Sequence, residues 1–235
     1  MSIPWLESGD PFPPVDQALI EPNGLLAAGA DLSPERLLDA YARGIFPWIN
    51  EEDPVLWWSP DRRMVLFPRE LHVSRTLRRA IRSHQFSVTL DRAFDAVVEG
   101  CAAPRSNQNG TWITVDMMSA YARLAQLGYA HSVDVWASDQ LVGGLYGVAL
   151  GRVFYGESMF SRRSEASKVA LAHLARQLDR WNFVLIDCQM ATKHLASLGA
   201  REIARDEFLR RVHAGAVQPG IAAPWRIDDD VMTDL

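Results

Sequence analysis

Near His131 the hydrophobic pattern of the chain changes from helical spacing to strict alternation, and this change limits the possible folds most strongly. The stretches HSVDVW, LVGGLYGVAL and RVFYGESMF alternate with period two, which predicts three strands. Only Ser138-Asp139 and Leu150-Gly151 separate them, so the strands are expected to pair as an antiparallel meander. A helix over 167–180 and the short apolar strand FVLIDCQ follow, and we expect this last strand to be central in the sheet.

Helical periodicity and capping residues predict most of the other elements. Ser33 and Pro34 suit the N-cap and first position of a helix that ends before Gly44. Further helices are predicted over 74–83, 92–101, 115–127, 193–198 and 205–213, and FSVTL is predicted to be a strand. The prolines and aromatic residues of GIFPWINEEDPVLWWSPDRR favour an irregular segment.

This order of elements predicts an α+β fold. We predict a small N-terminal domain over residues 1–61 and a larger domain over residues 62–235. A meander followed by a helix and a strand is also the arrangement of acyltransferases of the N-acetyltransferase type, whose sheet is mixed and largely antiparallel. This is an analogy of fold and is no argument for an activity.

Composition excludes several classes of protein. The formal net charge is −5, so the chain is not covered with basic residues, although a local basic patch is compatible with this value. Two cysteines, Cys101 and Cys188, are too few for a disulfide framework or a tetrahedral zinc site. The N-terminus lacks the pattern of a secretory signal, and no apolar run has the length of a membrane span. We therefore expect a cytoplasmic protein.

The sequence lacks the motifs of the common cofactors. It contains no P-loop, and GGLYG lies within a predicted strand, which is the wrong context for a dinucleotide fingerprint. The segment before the 167–180 helix reads FSRRSEAS and does not match the pyrophosphate turn of coenzyme-A acetyltransferases. Neither a G-x-S-x-G nucleophile motif nor a metal-ligand spacing is present. We expect no coenzyme A, no metal and no other cofactor.

A carboxylate and an amide at the end of FVLIDCQ are candidates for chemistry. Strand alternation places Asp187 and Gln189 on one face and Cys188 on the other. Such a pair can relay a proton and orient a substrate, because the amide offers both a donor and an acceptor. It is equally compatible with an ordinary hydrogen-bonded strand end.

Alternation also places Glu157 on the same face as Tyr155 and Met159. This carboxylate is either a site residue or an ordinary charge at a strand edge. The next segment, SRRSEASK, carries basic residues before a predicted helix, so it can bind an anion or form a solvated loop.

Aromatic and arginine residues suggest a nucleic-acid partner. Trp48, Trp57, Trp58 and Trp112 lie in segments rich in Pro, Asn or Gly, where they can stack on bases or fill a seam between domains. Four arginines share the outer side of the 74–83 helix. They are Arg75, Arg78, Arg79 and Arg82.

Seven blocks of the chain together resemble the leucyl/phenylalanyl-tRNA–protein transferase family. They are EPNGLLAAGADLSPERLLDAYARGIFPW, LWWSPDRR, GTWIT, LGYAHSVDVW, LVGGLYGVALGRVFYGESMFS, ASKVAL and LIDCQ, in the order of the family and spread from about Glu21 to Arg211. The resemblance implies a small N-terminal domain joined to an acyltransferase-like domain. It also implies transfer of Leu, Phe or Met from aminoacyl-tRNA to proteins with N-terminal Lys or Arg, which marks them for N-end-rule degradation. Coenzyme A, a metal and a membrane are not implied.

The resemblance also implies roles for individual residues. Asp187 and Gln189 would form the catalytic relay, with Glu157 near the amine of the acceptor. The terminal adenosine would be held by Trp48, Trp112 and Tyr121, and phosphates of the acceptor stem by the four arginines named above. The pocket for the transferred side chain would be lined by Leu145, Met159, Ser161, Leu171, Leu174 and Ile186. Two of these leucines, at 145 and 174, stand where Met and Phe are familiar in the family, so the resemblance does not fix the ratio of leucine to phenylalanine transfer.

Two mechanisms are compatible with the sequence. In the first, Asp187 polarises Gln189, whose carbonyl draws a proton from the attacking amine. In the second, a ribose hydroxyl of the tRNA transfers the proton and both residues only position it. Two other classes of protein remain open, a coenzyme-A-dependent N-acetyltransferase and a non-catalytic module that binds the end of charged tRNA.

Overall fold

The structure is a computed structural model that describes residues 3–49, 54–104 and 113–233. That part of the chain contains seven α-helices and eleven strands, and the strands form two sheets. Short 3-10 turns occur at Val15–Gln17 and Pro68–Glu70. No helix in the described ranges is both long and apolar enough to cross a membrane.

The smaller sheet has four strands in the order β1-β2-β4-β3. Its strands are β1 (Trp5–Leu6), β2 (Leu25–Gly29), β3 (Phe46–Trp48) and β4 (Leu56–Trp58), and α1 (Pro34–Ala42) lies between β2 and β3 in the chain. The side chain of Ser33 accepts a hydrogen bond from the backbone of Arg36, which confirms its predicted role as N-cap.

The prediction of an irregular segment after α1 was wrong, because this segment supplies β3 and β4. Proline is compatible with strand structure at Pro47 because β3 is an edge strand, where a missing N–H leaves no partner unsatisfied. The aromatic residues belong to the packing of this sheet. Trp57 is fully buried, and its indole nitrogen donates to the carbonyl oxygen of Gly29 at 2.9 Å.

The larger sheet has seven strands in the order β11-β5-β10-β9-β8-β7-β6. They are β5 (Arg63–Leu66), β6 (Ser87–Leu90), β7 (Ala130–Ala137), β8 (Gln140–Leu150), β9 (Val153–Ser161), β10 (Leu185–Gln189) and β11 (Arg201–Ile203). Among the described strands of this larger sheet, only β9 and β10 pair in parallel, so the sheet is mixed and largely antiparallel. The predicted meander and the α+β class are confirmed. Strands β1, β2, β5 and β11 were not predicted.

Helices cover both faces of the larger sheet. They are α2 (Arg75–Arg82), α3 (Phe94–Ala102), α4 (Val115–Gln126), α5 (Ala166–Arg180), α6 (Lys193–Ser197) and α7 (Arg205–Ala216). Strand alternation sorts the core between the faces, since Leu145 packs with α5 while its neighbour Tyr146 packs with α3 and α4. The small sheet packs into the α3–α4 side of this core, and the predicted domain boundary at Asp61 stays a prediction.

Candidate active site

A cavity opens where two central strands separate. Strand β10 pairs with β9 only through Leu185–Asp187 against Val153–Tyr155, although both strands continue beyond these residues. The resulting cavity has a volume of about 120 Å³ and lies between the separated strand ends, with α5 against it. Separation of paired strands leaves their backbone groups and inward side chains available to a ligand, as at the switch points of other open sheets.

Apolar side chains form most of the cavity wall. Five of the six residues predicted for the side-chain pocket line it: Leu145, Met159, Leu171, Leu174 and Ile186. Phe154 and Leu195 also line it and were not predicted. The sixth predicted residue, Ser161, does not line this cavity. Its hydroxyl donates to the carbonyl oxygen of Arg163 and accepts from the backbone of Ser167, so it closes the turn into α5.

Two β-bulges place the polar residues of the cavity. Between β8 and β9 the register skips Glu157, and between β5 and β10 it skips Cys188. A bulge reverses the alternation of side chains, and this is why Met159 leaves the face it was predicted to share with Tyr155. The backbone of Gln189 adopts φ 61°, in the left-handed region, and its side chain turns toward Glu157.

Glu157 is a buried carboxylate held by three donors. Tyr41 donates to its Oε1 at 2.8 Å, Tyr121 donates to its Oε2 at 2.6 Å, and Nε2 of Gln189 donates to its Oε1 at 3.2 Å. Burial raises the pKa of Glu157 to about 7, although the two tyrosine hydroxyls act in the opposite direction. Burial also raises the pKa of both tyrosines, so they stay protonated and donate. A carboxylate whose pKa is near neutrality suits the uptake of a proton.

Asp187 is buried in a different environment. Arg63 donates to its two carboxylate oxygens at 2.8 Å and 2.7 Å, and neither side chain of this ion pair is exposed. The guanidinium lies between the rings of Phe46 and Phe208, with its carbon 4.5 Å and 4.6 Å from their centroids. The backbone N–H of Gln189 donates to Asp187 at 2.9 Å. Asp187 does not line the cavity, and its carboxylate orients the backbone of Gln189.

Three residues of this arrangement were missed by the sequence analysis. Arg63 appeared only within LWWSPDRR, and nothing local indicated its partner on β10. Tyr41 appeared only within the block EPNGLLAAGADLSPERLLDAYARGIFPW. Tyr146 lines the cavity, and its buried hydroxyl has no hydrogen-bond partner among the described residues. This hydroxyl can therefore donate to a ligand.

The residues predicted to hold an adenosine have different positions. Trp48 is partly exposed at the end of β3. Tyr121 is fully buried and its hydroxyl is bound to Glu157, so its ring is not accessible for stacking on a base. Trp112 lies outside the described residues.

The four predicted arginines lie on the exposed side of α2. Leu77 and Ala80 of this helix are buried on the opposite side, where α2 packs against α5. The cavity and the arginine side of α2 are therefore on the same side of the sheet core as α5. The described residues contain no group of three or more His, Cys, Asp or Glu that could hold a metal ion.

The sequence and fold were compared with known proteins. A family model described as leucyl/phenylalanyl-tRNA protein transferase matches residues 65–213, and a model of the N-terminal domain of this family matches residues 30–61. A protein named leucyl/phenylalanyl-tRNA–protein transferase from Nitrosospira multiformis is 62% identical over 210 residues, which are 89% of this chain and 90% of that protein. A protein of the same name from Nitrosomonas europaea is 58% identical over 223 residues, 95% of this chain and 94% of that protein. A solved structure of a GCN5-related N-acetyltransferase from Kribbella flavida matches with a TM-score of 0.37 and 12% identity, over 73% of this chain and 61% of that one.

Proposed function

Because this chain belongs to the leucyl/phenylalanyl-tRNA–protein transferase family, we propose that it transfers leucine, phenylalanine or methionine from aminoacyl-tRNA to an acceptor protein. The acceptor is a protein with N-terminal Lys or Arg, and the product carries the apolar residue at its new N-terminus, as a mark for N-end-rule degradation. One observation supports this most strongly, an apolar cavity that ends on the buried pair Glu157 and Gln189.

In this proposal the apolar wall of the cavity receives the side chain of the transferred amino acid. A wall of Leu, Met, Ile and Phe offers no polar partner, so polar amino acids would lose hydrogen bonds to water without compensation. The carbonyl carbon of the ester then lies at the polar end of the cavity, beside Glu157 and Gln189. An aminoacyl ester is already activated, and correct orientation of amine and ester is worth roughly 7–11 kcal/mol.

We propose Glu157 as the proton acceptor. The nitrogen of the acceptor attacks the ester carbonyl carbon, and its proton passes to Glu157. The bond between this carbon and the ribose oxygen then breaks, and the proton passes from Glu157 to that oxygen, which leaves as a hydroxyl. The overall change is one amide bond formed, one ester bond broken, and no net gain or loss of protons by the enzyme.

The surrounding residues assist this step in distinct ways. Tyr146 donates its hydroxyl to the oxygen that becomes negative in the tetrahedral intermediate, and burial raises the pKa of this tyrosine, so the proton stays available. Asp187 and Arg63 fix the backbone of Gln189. This role replaces the first mechanism considered from the sequence, in which Asp187 polarises the side chain of Gln189. The carboxylate of Glu157 also favours a cationic N-terminal residue on the acceptor.

The function is tested with radiolabelled leucyl-tRNA and a peptide that begins with Arg. We expect label in the peptide after the tRNA is hydrolysed, and none in the same peptide with an acetylated N-terminus. Absence of label with both peptides refutes the proposed transfer. Acetyl transfer from labelled acetyl-coenzyme A to the Arg peptide, in place of leucyl transfer, would indicate an N-acetyltransferase instead.

Glu157→Gln tests the assignment of the proton acceptor. General base catalysis contributes about 10²–10⁴-fold, so we expect turnover to fall in this range while the dissociation constant for leucyl-tRNA changes little. Glu202→Gln removes an exposed carboxylate on β11 and is the matched control, with turnover unchanged. Equal loss of turnover and of tRNA affinity in Glu157→Gln contradicts the assignment.

Leu174→Phe tests the side-chain pocket. A larger residue on α5 shortens the cavity, so phenylalanine loses more transition-state binding than leucine does. Discrimination by pocket size is worth about 1–3 kcal/mol, and we expect the ratio of leucyl to phenylalanyl transfer to rise about 10-fold or more. The measurement is kcat/KM for both aminoacyl-tRNAs, and an unchanged ratio excludes Leu174 from the specificity pocket.

A further inference from the structure

A second cavity adjoins the proposed active site. Its volume is about 570 Å³, and it lies at the end of β9 against the first turn of α5. Met159 lines both cavities, and the consecutive residues His194 and Leu195 of α6 line one cavity each. The second cavity therefore adjoins the first and lies further along β9 than Glu157.

The charge around the second cavity is opposite to that of the chain as a whole. Arg162 and His194 line it, although the chain has a formal net charge of −5. Burial lowers the pKa of His194, so this imidazole is neutral near pH 7 and can serve as a hydrogen-bond donor. Ser167 in the first turn of α5 also lines the cavity, and Lys168 follows it in the chain. The only two lysines of the chain are Lys168 and Lys193, and both belong to the segments that form this cavity. These segments, 100–104, 159–168 and 193–198, contain a single acidic residue, Glu165.

The basic side chains are held in place before any ligand binds. Arg162 donates one hydrogen bond to the carbonyl oxygen of Leu141 at 3.1 Å, and its guanidinium lies over the ring of Phe160 at 5.1 Å. Lys168 donates to Glu165 at 2.7 Å. An ammonium has three donors and a guanidinium five, so each group retains donors for an anion. Ordering of long side chains in advance lowers the entropic cost of binding.

We propose that this second cavity binds the phosphodiester that precedes the terminal adenosine of the aminoacyl-tRNA, with Arg162, Lys168 and His194 as its ligands. This inference rests on the proposed function. The amino acid occupies the apolar cavity and its ester lies beside Glu157, so the nucleotide chain leaves this cavity along β9, where the second cavity lies beyond Met159. A phosphodiester is the nearest negative charge along that chain. The acceptor protein, which begins with a cationic residue, is disfavoured by the same basic side chains.

Three leucyl donors test this inference. The first is leucyl-adenosine, which has no phosphate, the second is leucyl-cytidylyl-adenosine, which has one phosphodiester, and the third is leucyl-tRNA. We expect the double variant Arg162→Met, Lys168→Met to lose about 10- to 100-fold in kcat/KM with the second donor, since charge-assisted hydrogen bonds are lost. With leucyl-adenosine we expect a change of less than about twofold, and this reaction also reports that the variant is folded. Arg210→Met, which removes an exposed charge of α7, is the matched control and should behave as the wild type with both donors.

A second measurement uses only the wild-type protein. The kcat/KM with leucyl-cytidylyl-adenosine should fall with salt, with a logarithmic slope of roughly 0.7 for one phosphate of a single strand, while that with leucyl-adenosine stays nearly constant. Equal losses with both donors, or equal salt dependence, overturn the assignment of the cavity. A rise in the KM of the acceptor peptide alone assigns the cavity to the acceptor and also overturns it. Failure of the wild type with all three donors refutes the proposed function itself.

Discussion

Glu157 and Asp187 are both buried carboxylates, and they lie on the neighbouring parallel strands β9 and β10, yet their surroundings differ in kind. Asp187 faces the guanidinium of Arg63 in a fully buried ion pair. Glu157 faces only neutral donors, two tyrosine hydroxyls and an amide, and burial raises its pKa to about 7. The charge of a partner therefore separates a structural carboxylate from one that can exchange a proton.

Residues from the N-terminal part of the chain contact both carboxylate environments. Tyr41, from α1 next to the small sheet, closes one side of Glu157, and Phe46 of β3 covers one side of Arg63. The segment from α1 to β3 thus contributes to both environments. Three variants break or sharpen the contrast between them.

Arg63→Met has the largest expected effect. Removal of one partner leaves the charge of Asp187 buried and unpaired, so we expect the free energy of unfolding to fall by about 3–5 kcal/mol. The measurement is chemical denaturation at neutral pH. The double variant Arg63→Met, Asp187→Leu removes both charges and should recover most of this loss. A single variant as stable as the wild type would show that Asp187 does not need a charged partner.

Tyr121→Phe should shift the pH dependence of the reaction. The hydroxyl of Tyr121 lowers the pKa of Glu157, so its removal raises that pKa above about 7. Glu157 must be unprotonated to accept a proton, so activity is lost as the pH falls through this pKa. We expect the acid limb of kcat/KM to move to higher pH by about one unit, equivalent to 1.4 kcal/mol.

Tyr155→Phe is the matched control for this shift. The hydroxyl of Tyr155 donates to the backbone carbonyl of Tyr41 and not to Glu157. We expect the acid limb of kcat/KM of Tyr155→Phe to stay in place. The ionisation of the acceptor amine is the same in the variant and in the wild type, so it does not contribute to a difference between them. If the acid limb of kcat/KM does not move in Tyr121→Phe, it reports the ionisation of the acceptor amine and not that of Glu157.

Asp39→Asn has the smallest expected effect and shows what burial contributes. The pair Arg43–Asp39 has the same chemistry as Arg63–Asp187, with a distance of 2.7 Å, but its side chains are 50% and 40% exposed. Exposed pairs one helical turn apart contribute about 0.3–0.5 kcal/mol. We expect a loss no larger than this in the same denaturation experiment. If Asp39→Asn lowers the free energy of unfolding by as much as Arg63→Met does, burial is not the cause of the difference between the two ion pairs.

Local patterns were sufficient for much of this molecule and insufficient for the site. Alternation predicted the meander, and Ser33 and Ser74 predicted helix starts, because these signals act within a few residues. Six pocket residues followed from the family resemblance, and five of them line the cavity, whereas Ser161 does not. The bulges at Glu157 and Cys188 depend on how two strands pair, so alternation alone could not indicate them.

Long-range contacts explain the remaining misses. Arg63 and Asp187 are 124 positions apart, and Tyr41 and Glu157 are 116 positions apart. No periodicity links residues at such distances. Pro47 argued against a strand because it lacks an N–H, and only the edge position of β3 removes that objection.

The two aromatic rings around Arg63 have a consequence for biosynthesis. Phe46 emerges early from the ribosome and Phe208 emerges near the end, since synthesis proceeds from the N-terminus. A nascent or prematurely terminated chain that stops before α7 contains every cavity residue but only half of the enclosure around the guanidinium. The buried ion pair of Arg63 and Asp187 therefore gains its second aromatic wall only after α7 has been synthesised.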